Sequence, residues 1–192
     1  SDLISIKVFL FLTVLTGIIY PLFVTGFAQL LFPAKANGSL IINNNKIIGS
    51  KLIGQQFDSA IYFTSRPSAI SYNTMPSGGS NYGLTNSKLK QQVIERKQHF
   101  IEFNQLDSLT QIPAEMLFAS ASGLDPHISK QSALLQVNRI ANARNFSIDK
   151  KPQLIDCVNR LTEKPQILVL GEERVNVLLL NLELDKIKNY IK

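Results

Sequence analysis

The hydrophobic pattern divides the chain into one uninterrupted apolar run and a longer region in which apolar and polar residues alternate. No residue from Val8 to Phe32 is charged, and 18 of these 25 residues are apolar. At a rise of about 1.5 Å per residue the run spans roughly 37 Å, whereas a bilayer core of about 30 Å needs about 20 residues. We therefore predict a transmembrane helix over 8–32, preceded by a flank at 1–7.

The main alternative for the apolar run is a cleaved secretory signal. The tripeptide Ala34-Lys35-Ala36 has the form of a signal cleavage site. However, the apolar part of a signal is only about 7–15 residues long. The greater length of this run favours an uncleaved anchor.

Within the predicted helix, small or weakly polar residues recur at every fourth position. In lipid no hydrophobic force drives association, and small residues let a neighbouring helix approach closely. The row indicates either a packing face for a membrane-embedded partner or the ordinary Gly, Thr and Pro content of a simple anchor. Its members are Thr13, Gly17, Pro21, Thr25 and Gln29.

The pattern after the run predicts a mixed α/β soluble domain over 39–192, joined to the helix by a linker at 33–38. Apolar residues at helical spacing predict three helices, and Ile-, Leu- and Val-rich stretches predict short strands. Asn86 or Ser87, Ser129 and Pro152 are the helix start signals. The predicted strands lie at 39–53, 166–170 and 175–184, a loop at 66–85, helices at 87–106, 130–145 and from Pro152, and a basic tail at 185–192.

Composition and charge exclude several classes of function. A single cysteine, Cys157, excludes a disulfide scaffold, and its place beside an apolar helix face predicts a buried, inert thiol. Two histidines in separate elements give no metal-ligand spacing, and no nucleotide-binding glycine motif is present. The net charge of +6 is not gathered into a basic run, so nucleic-acid binding is disfavoured.

Two segments carry candidate chemistry. The loop Ser77, Gly78, Gly79, Ser80 and Asn81 could form a nest of backbone N–H groups for an anion, although a flexible turn is the favoured interpretation. Asp125-Pro126-His127 suggests an Asp–His pair beside Ser122 or Ser129. Residues two apart rarely point together, and Asp-Pro is common in turns, so catalysis is disfavoured.

Several motifs occur in order along almost the whole chain: residues 52–57, 62–68, 77–81, 120–129 and 171–182, together with the Tyr-Pro pair in the anchor. Together they resemble the C subunit of the bacterial Kdp potassium-transporting P-type ATPase. The run at 120–129 is the most specific, and the departures at Tyr82, Phe118 and Ala121 affect only local packing. The positions that match the family pattern are Arg66, Pro67, Gly123, Asp125, Pro126, His127, Ser129, Gln136, Arg139 and Arg144.

The resemblance implies a single-pass accessory subunit in the bacterial cytoplasmic membrane, with its soluble domain outside the cytoplasm. The implied partners are a channel-like potassium-selecting subunit and a P-type ATPase subunit. These partners handle potassium and ATP, so no cofactor, metal or catalytic residue is expected in this chain. The family is described as needed for assembly of the complex, and as a catalytic chaperone that raises the ATP affinity of the ATPase subunit.

Two other functions remain open. A nucleotide-binding regulator would use the loop at 77–81 and the segment at 125–129. A weaker hypothesis is a membrane-anchored hydrolase that uses Asp125 and His127. If the domain lies outside the cytoplasm, it cannot touch cytosolic ATP, and any effect on ATP must travel as conformational coupling.

Overall fold

The computed structural model describes residues 2–43, 45–167 and 170–187 of the chain. These residues form two compact units, Ser1–Ser50 and Lys51–Lys192. The first carries the apolar run and the second carries most of the motifs that the sequence singled out.

The first unit begins with a continuous helix over Asp2–Leu31, none of whose residues is buried. It comprises α1 at Asp2–Val14, a π-helical turn at Leu15–Ile19 and α2 at Tyr20–Leu31. Thirty residues of helix span about 45 Å, which is enough to cross a bilayer with tilt. Among the described residues it is the one helix long and apolar enough to do so, and the predicted single apolar helix is confirmed.

A short helix and a hairpin follow the long helix. Within the predicted linker, α3 forms at Pro33–Ala36, where Pro33 fits the first helical position because its missing N–H would have no partner there anyway. Strands β1 at Leu40–Asn43 and β2 at Lys46–Ser50 then pair antiparallel, as the Ile-rich pattern predicted.

Over its described residues, the second unit packs three helices against a small antiparallel sheet, and a fourth helix, α4, packs on α5. The helices are α4 at Ser87–Asn104, α5 at Lys130–Ala143, α6 at Lys150–Leu161 and α7 at Val177–Leu184. The strands are β3 at His127–Ile128, β4 at Thr162–Glu163 and β5 at Arg174–Asn176, in the order β3-β5-β4. The core includes Phe63, Ile140, Leu154, Leu180 and Leu184, all fully buried. The mixed α/β prediction is confirmed.

Helix starts follow the predicted caps. The side chain of Asn86 accepts a hydrogen bond from the backbone of Lys88, and Ser129 accepts one from Ser132. These side chains satisfy N–H groups that lack a partner within the helix. Helix α6 begins at Lys150, so Pro152 occupies its third position rather than the predicted first.

The predicted strand at 175–184 is wrong beyond residue 176. Only Arg174–Asn176 is extended, and the chain turns directly into helix α7. The side chain of Asn176 caps this helix by accepting from the backbone N–H of Leu179. In a short, continuously apolar run, periodicity cannot tell a strand from a buried helix. Here the capping side chain of Asn176 and the surrounding core stabilise the helix.

The predicted strand at 166–170 is reduced to one bridge between Gln166 and Leu170. Residues 168–169 lie outside the described residues. Of the predicted basic tail, 185–187 form a turn and bend, and 188–192 also lie outside the described residues.

Candidate functional site

The π-helical turn brings the row of small residues to one side of the membrane helix. The backbone N–H of Tyr20 donates to the carbonyl of Leu15, five residues earlier, just before Pro21, which has no N–H to donate. A π turn holds one more residue than an α turn, so it rotates later side chains back by about 100°. On a regular α-helix, the side chains of the row would rotate by about 160° around the helix axis between Thr13 and Gln29. With the π turn, this rotation is only about 60°.

Two polar residues of the row, Thr13 and Gln29, form hydrogen bonds within their own unit. The hydroxyl of Thr13 donates to the carbonyl of Phe9 at 2.8 Å. The amide of Gln29 exchanges two hydrogen bonds with the amide of Asn37, at 3.1 and 3.2 Å. The row therefore offers close approach to a neighbouring helix more than it offers polar bonds. Whether a partner helix packs on it stays a prediction.

In the second unit, Arg66, Asp125 and His127 form a half-buried ionic cluster. One guanidinium nitrogen of Arg66 lies 2.7 Å from a carboxylate oxygen of Asp125. The other oxygen lies 3.4 Å from Nδ1 of His127 and accepts its backbone N–H at 3.0 Å. Although the two residues are two apart, their side chains do meet, contrary to the sequence expectation.

The hydrogen bonds of the cluster control the ionisation of Asp125. Partial burial raises the pKa of this carboxyl, but hydrogen bonds from His127 and Arg66 and the charge of Arg66 outweigh it. The pKa falls to about 2, from an ordinary value of 3.8. The carboxylate is thus charged at any physiological pH and holds Arg66 in place.

Replacing Asp125 with Asn should destabilise the protein at neutral pH but much less in acid. A folded-state pKa below the unfolded one means that the carboxylate stabilises the fold above pH 3.8, and that this stability is lost as pH falls to about 2. Thermal unfolding of the full chain in detergent, followed by circular dichroism, measures the difference from the parent. The exposed Asp156→Asn is the control; a difference for Asp125→Asn that stays constant between pH 5 and 2 contradicts the assignment.

The glycine loop at 77–81 packs against the segment at 120–125. The backbone N–H of Gly78 donates to the carbonyl of Ser122 at 3.1 Å. A Cβ on Gly79 would lie 3.1 Å from the carbonyl oxygen of Ala121. The glycines therefore serve close backbone packing, and one N–H of the suggested nest is already bonded.

The start of helix α5 is likewise occupied by a side chain of the protein. Glu115, from the 3₁₀ turn at Ala114–Met116, accepts hydrogen bonds from the backbone N–H of Ser129 and the hydroxyl of Ser132. Burial raises the pKa of Glu115, but these hydrogen bonds outweigh it and lower the pKa overall. A carboxylate thus fills the place where a helix N-terminus would otherwise bind an anion.

A buried polar network surrounds Gln136 and Arg139 on α5. The carboxamide oxygen of Gln136 accepts the backbone N–H of Thr64 at 2.7 Å and a guanidinium N–H of Arg139 at 2.9 Å. Arg139 also donates to the side-chain oxygen of Asn104 at 2.9 Å and to the carbonyl of Ala60. Its guanidinium carbon lies 4.5 Å from the ring centre of Phe103.

The remaining family positions also bind the protein's own backbone. The carbonyl of Pro67 accepts from Ser120 at 3.3 Å, and that of Pro126 from Val177 at 2.9 Å. Arg144 donates to the carbonyl of Ile61 and pairs with Asp185, each at 2.7 Å. The positions thus tie the segment at 60–68 to α5, α7 and the loop before β3.

Two open cavities border the Arg66 side chain. One, of about 550 Å³, lies between the segment at 56–72 and α4 and is lined by Tyr72, Arg96 and Phe103 among others. The other, of about 510 Å³, is lined by Glu115, Asp125 and His127. Burial in the first cavity raises the pKa of Tyr72 to about 12.

The serine hydroxyls near His127 bond to other groups. In the part of the chain that the structure describes, no hydrogen bond joins Ser122 or Ser129 to His127, and the hydroxyl of Ser129 bonds Ser132 instead. A nucleophile needs its base within hydrogen-bond reach. Within the same residues no three of the His, Cys, Asp and Glu side chains gather as metal ligands would. The predicted buried thiol of Cys157 is confirmed, and burial raises its pKa.

Over the residues that the structure describes, one long apolar helix precedes an α/β domain with a densely hydrogen-bonded interior, an arrangement typical of membrane-anchored proteins. The family model for the K⁺-transporting ATPase c chain, KdpC, matches residues 3–186. The chain belongs to the KdpC family, which makes it an accessory subunit of a potassium-transporting ATPase.

Individual relatives agree with this family across nearly their whole length. A protein of Leptospira interrogans is 47% identical over 182 residues, covering 95% of this chain and 92% of the relative. One of Pectobacterium atrosepticum is 46% identical over 187 residues, covering 96% and 95%. One of Polynucleobacter asymbioticus is 49% identical over 183 residues, covering 92% and 93%. Each is named potassium-transporting ATPase KdpC subunit.

Sequence reasoning missed three contributors to this arrangement. Glu115 gave no local signal, because the helix start that it caps lies 14 residues further along the chain. Asn104 lay in a predicted helix and Asn181 in a predicted strand without any sign of a special role, yet both are buried and bind distant partners.

Proposed function

We propose that this chain is a non-catalytic assembly subunit whose helix packs on a partner helix in the membrane and whose domain is a rigid scaffold. The observation that carries the proposal is that the residues at the family positions form their hydrogen bonds and ion pairs within the domain itself. Charged and amide side chains that could have served a substrate instead bind the domain's own backbone and side chains. The proposed partners are a channel-like potassium-selecting subunit and a P-type ATPase subunit of the same complex.

The occupied anion sites favour this role over direct nucleotide binding. Gly78 donates its N–H to Ser122, and Glu115 fills the start of α5. A phosphate at either place would have to displace an internal bond. The chain therefore acts on ATP affinity, in the manner of a catalytic chaperone, by conformational coupling through the complex.

The first test alters the row of small residues. Gly17→Leu should loosen the complex in detergent and lower co-purification of the partner subunits several-fold, because an isobutyl group keeps a partner helix from close approach. The measurement is the amount of partner recovered with the tagged full chain from membranes. Purified complexes with and without the subunit then report the ATP dependence of hydrolysis.

Gly26→Leu is the matched control for this test. Gly26 is the other glycine of the helix and lies about 100° around it from Thr25, away from the row. Equal co-purification of both variants with the parent would contradict the packing face. Equal loss in both would indicate a general effect on the helix instead.

We further propose that the soluble domain lies outside the cytoplasm. A cysteine in place of the exposed Lys97 should then react in intact cells with a membrane-impermeant maleimide. The parent protein gives a low background, because Cys157 is only 2% exposed. Labelling that requires permeabilised cells would place the domain in the cytoplasm and would reopen direct contact with ATP.

A further inference from the structure

The hairpin of the first unit carries an exposed apolar face that its own two strands leave uncovered. Ile42 lies opposite Ile47, and Leu40 shares their side of the ribbon. Ile42 and Ile47 are each 64% exposed, and Leu40 is 48% exposed. A two-stranded ribbon is marginally stable in water by itself, so a surface that covers this face would stabilise it.

The hairpin is held close to the end of the membrane helix. The backbone N–H of Ser39 donates to the carbonyl of Ala34 at 2.8 Å. At the other strand, the hydroxyl of Ser50 donates to the carbonyl of Gly38 at 2.7 Å. Both strands are therefore anchored within a few residues of Phe32, and helix and hairpin belong to one compact unit.

The charge around the hairpin is of one sign. Between Asp2 and Asp58 the sequence has no acidic residue, whereas Lys35 precedes the hairpin and Lys46 begins its second strand, on the same face as Asn43. The ammonium group of Lys35 lies 5.9 Å from the ring centre of Phe32. A lysine at the end of a membrane helix can extend its ammonium group to the lipid–water interface, where it is attracted to anionic headgroups.

We propose that the hairpin lies on the bilayer surface, with Leu40, Ile42 and Ile47 in the headgroup–acyl boundary and Lys35, at the end of the membrane helix, against anionic headgroups. The headgroup region adds about 5–8 Å on each side of the hydrocarbon core, which is deep enough for a ribbon of side chains. The apolar face accounts for insertion, and the excess of positive charge selects anionic lipid over zwitterionic lipid. The hairpin would thereby fix the depth and tilt of the membrane helix.

The absence of tryptophan from the chain permits a direct test. The full chain with Ile42→Trp is placed in nanodiscs of phosphatidylcholine and phosphatidylglycerol in a 3:1 ratio. We expect blue-shifted emission and strong quenching by lipids brominated near the start of the acyl chain, and less quenching in phosphatidylcholine alone. Asn43→Trp, on the opposite face of the same strand, should be quenched several-fold less.

Ile47→Trp reports the same face from the other strand, should Ile42→Trp disturb the hairpin. Equal quenching at positions 42 and 43, or none at positions 42 and 47, would overturn the proposal. In the assembled complex, Ile42→Cys is treated with a water-soluble maleimide. If the cysteine reacts in the isolated subunit in nanodiscs and is protected only in the complex, the face is a protein interface, and the membrane proposal is wrong.

Discussion

Replacing Arg139 with Ala should destabilise the protein more than any other side-chain truncation in the polar network. The change leaves the side-chain oxygen of Asn104 buried without its donor, removes the donor to the half-buried carbonyl of Ala60, and empties the space beside Phe103. Each buried acceptor without a partner costs about 1–3 kcal/mol, so a total loss of about 3–5 kcal/mol is expected. The midpoint of thermal unfolding should fall by roughly 10 °C.

An opposing effect decides how this result is interpreted. Burial lowers the pKa of Arg139 to about 10, which indicates that its charge is poorly solvated. Among the described residues it has no carboxylate partner, so removing the charge also removes a cost. Replacing buried ionic groups with apolar residues of similar volume can be neutral or stabilising. Arg139→Met, which keeps the packing on Phe103, separates the two contributions.

We expect the lost hydrogen bonds to outweigh the relief of charge burial, with Met less damaging than Ala. Arg174→Ala is the control, because Arg174 is half exposed and its ion pair with Glu163 is worth at most about 1 kcal/mol. Thermal and urea unfolding of the full chain in the same detergent measure all three variants. If Arg139→Met were more stable than the parent, the network would not hold the segment at 60–68 in place.

The sequence correctly predicted those elements that are stabilised by residues close to one another along the chain. A capping side chain acts within three residues, so Asn86 and Ser129 marked their helix starts correctly. The long apolar helix was predicted from the length of the apolar run and its lack of charge alone. The π turn also had a local signal, because a proline removes the bond to the carbonyl four residues earlier and Gly17 occupies that place.

Features that depend on distant residues were beyond the sequence pattern. Helix α7 reads as a strand until the core around Leu180 and Leu184 is known. Arg139 binds Ala60 and Asn104, which are 79 and 35 residues away. The glycine loop was interpreted as a flexible turn, or less favourably as an anion nest, because the segment that it packs against, at 120–125, lies about 40 residues further along the chain.

The packing of the glycine loop predicts the second large effect, which is that of Gly123→Ala. Gly123 has a φ of +70°, and an added Cβ would lie 2.4 Å from Cγ1 of Ile70 and 2.9 Å from the carbonyl oxygen of Gly78. The left-handed backbone costs an alanine about 1–2 kcal/mol, and forced overpacking costs typically 1–3 kcal/mol more. We expect a loss of about 2–4 kcal/mol in the free energy of unfolding.

Two other glycines separate these contributions. Gly171 has a φ of +91° but nothing within 4 Å of its added Cβ, so Gly171→Ala should show the backbone cost alone. Gly83→Ala has neither strain nor a close neighbour and should be nearly neutral. If the Ile70 contact is the larger obstacle, Ile70→Ala should recover part of the loss in the Gly123→Ala background. Equal losses for Gly123→Ala and Gly171→Ala, with no recovery in the double variant, would mean that the two loops do not pack as closely as their backbones indicate.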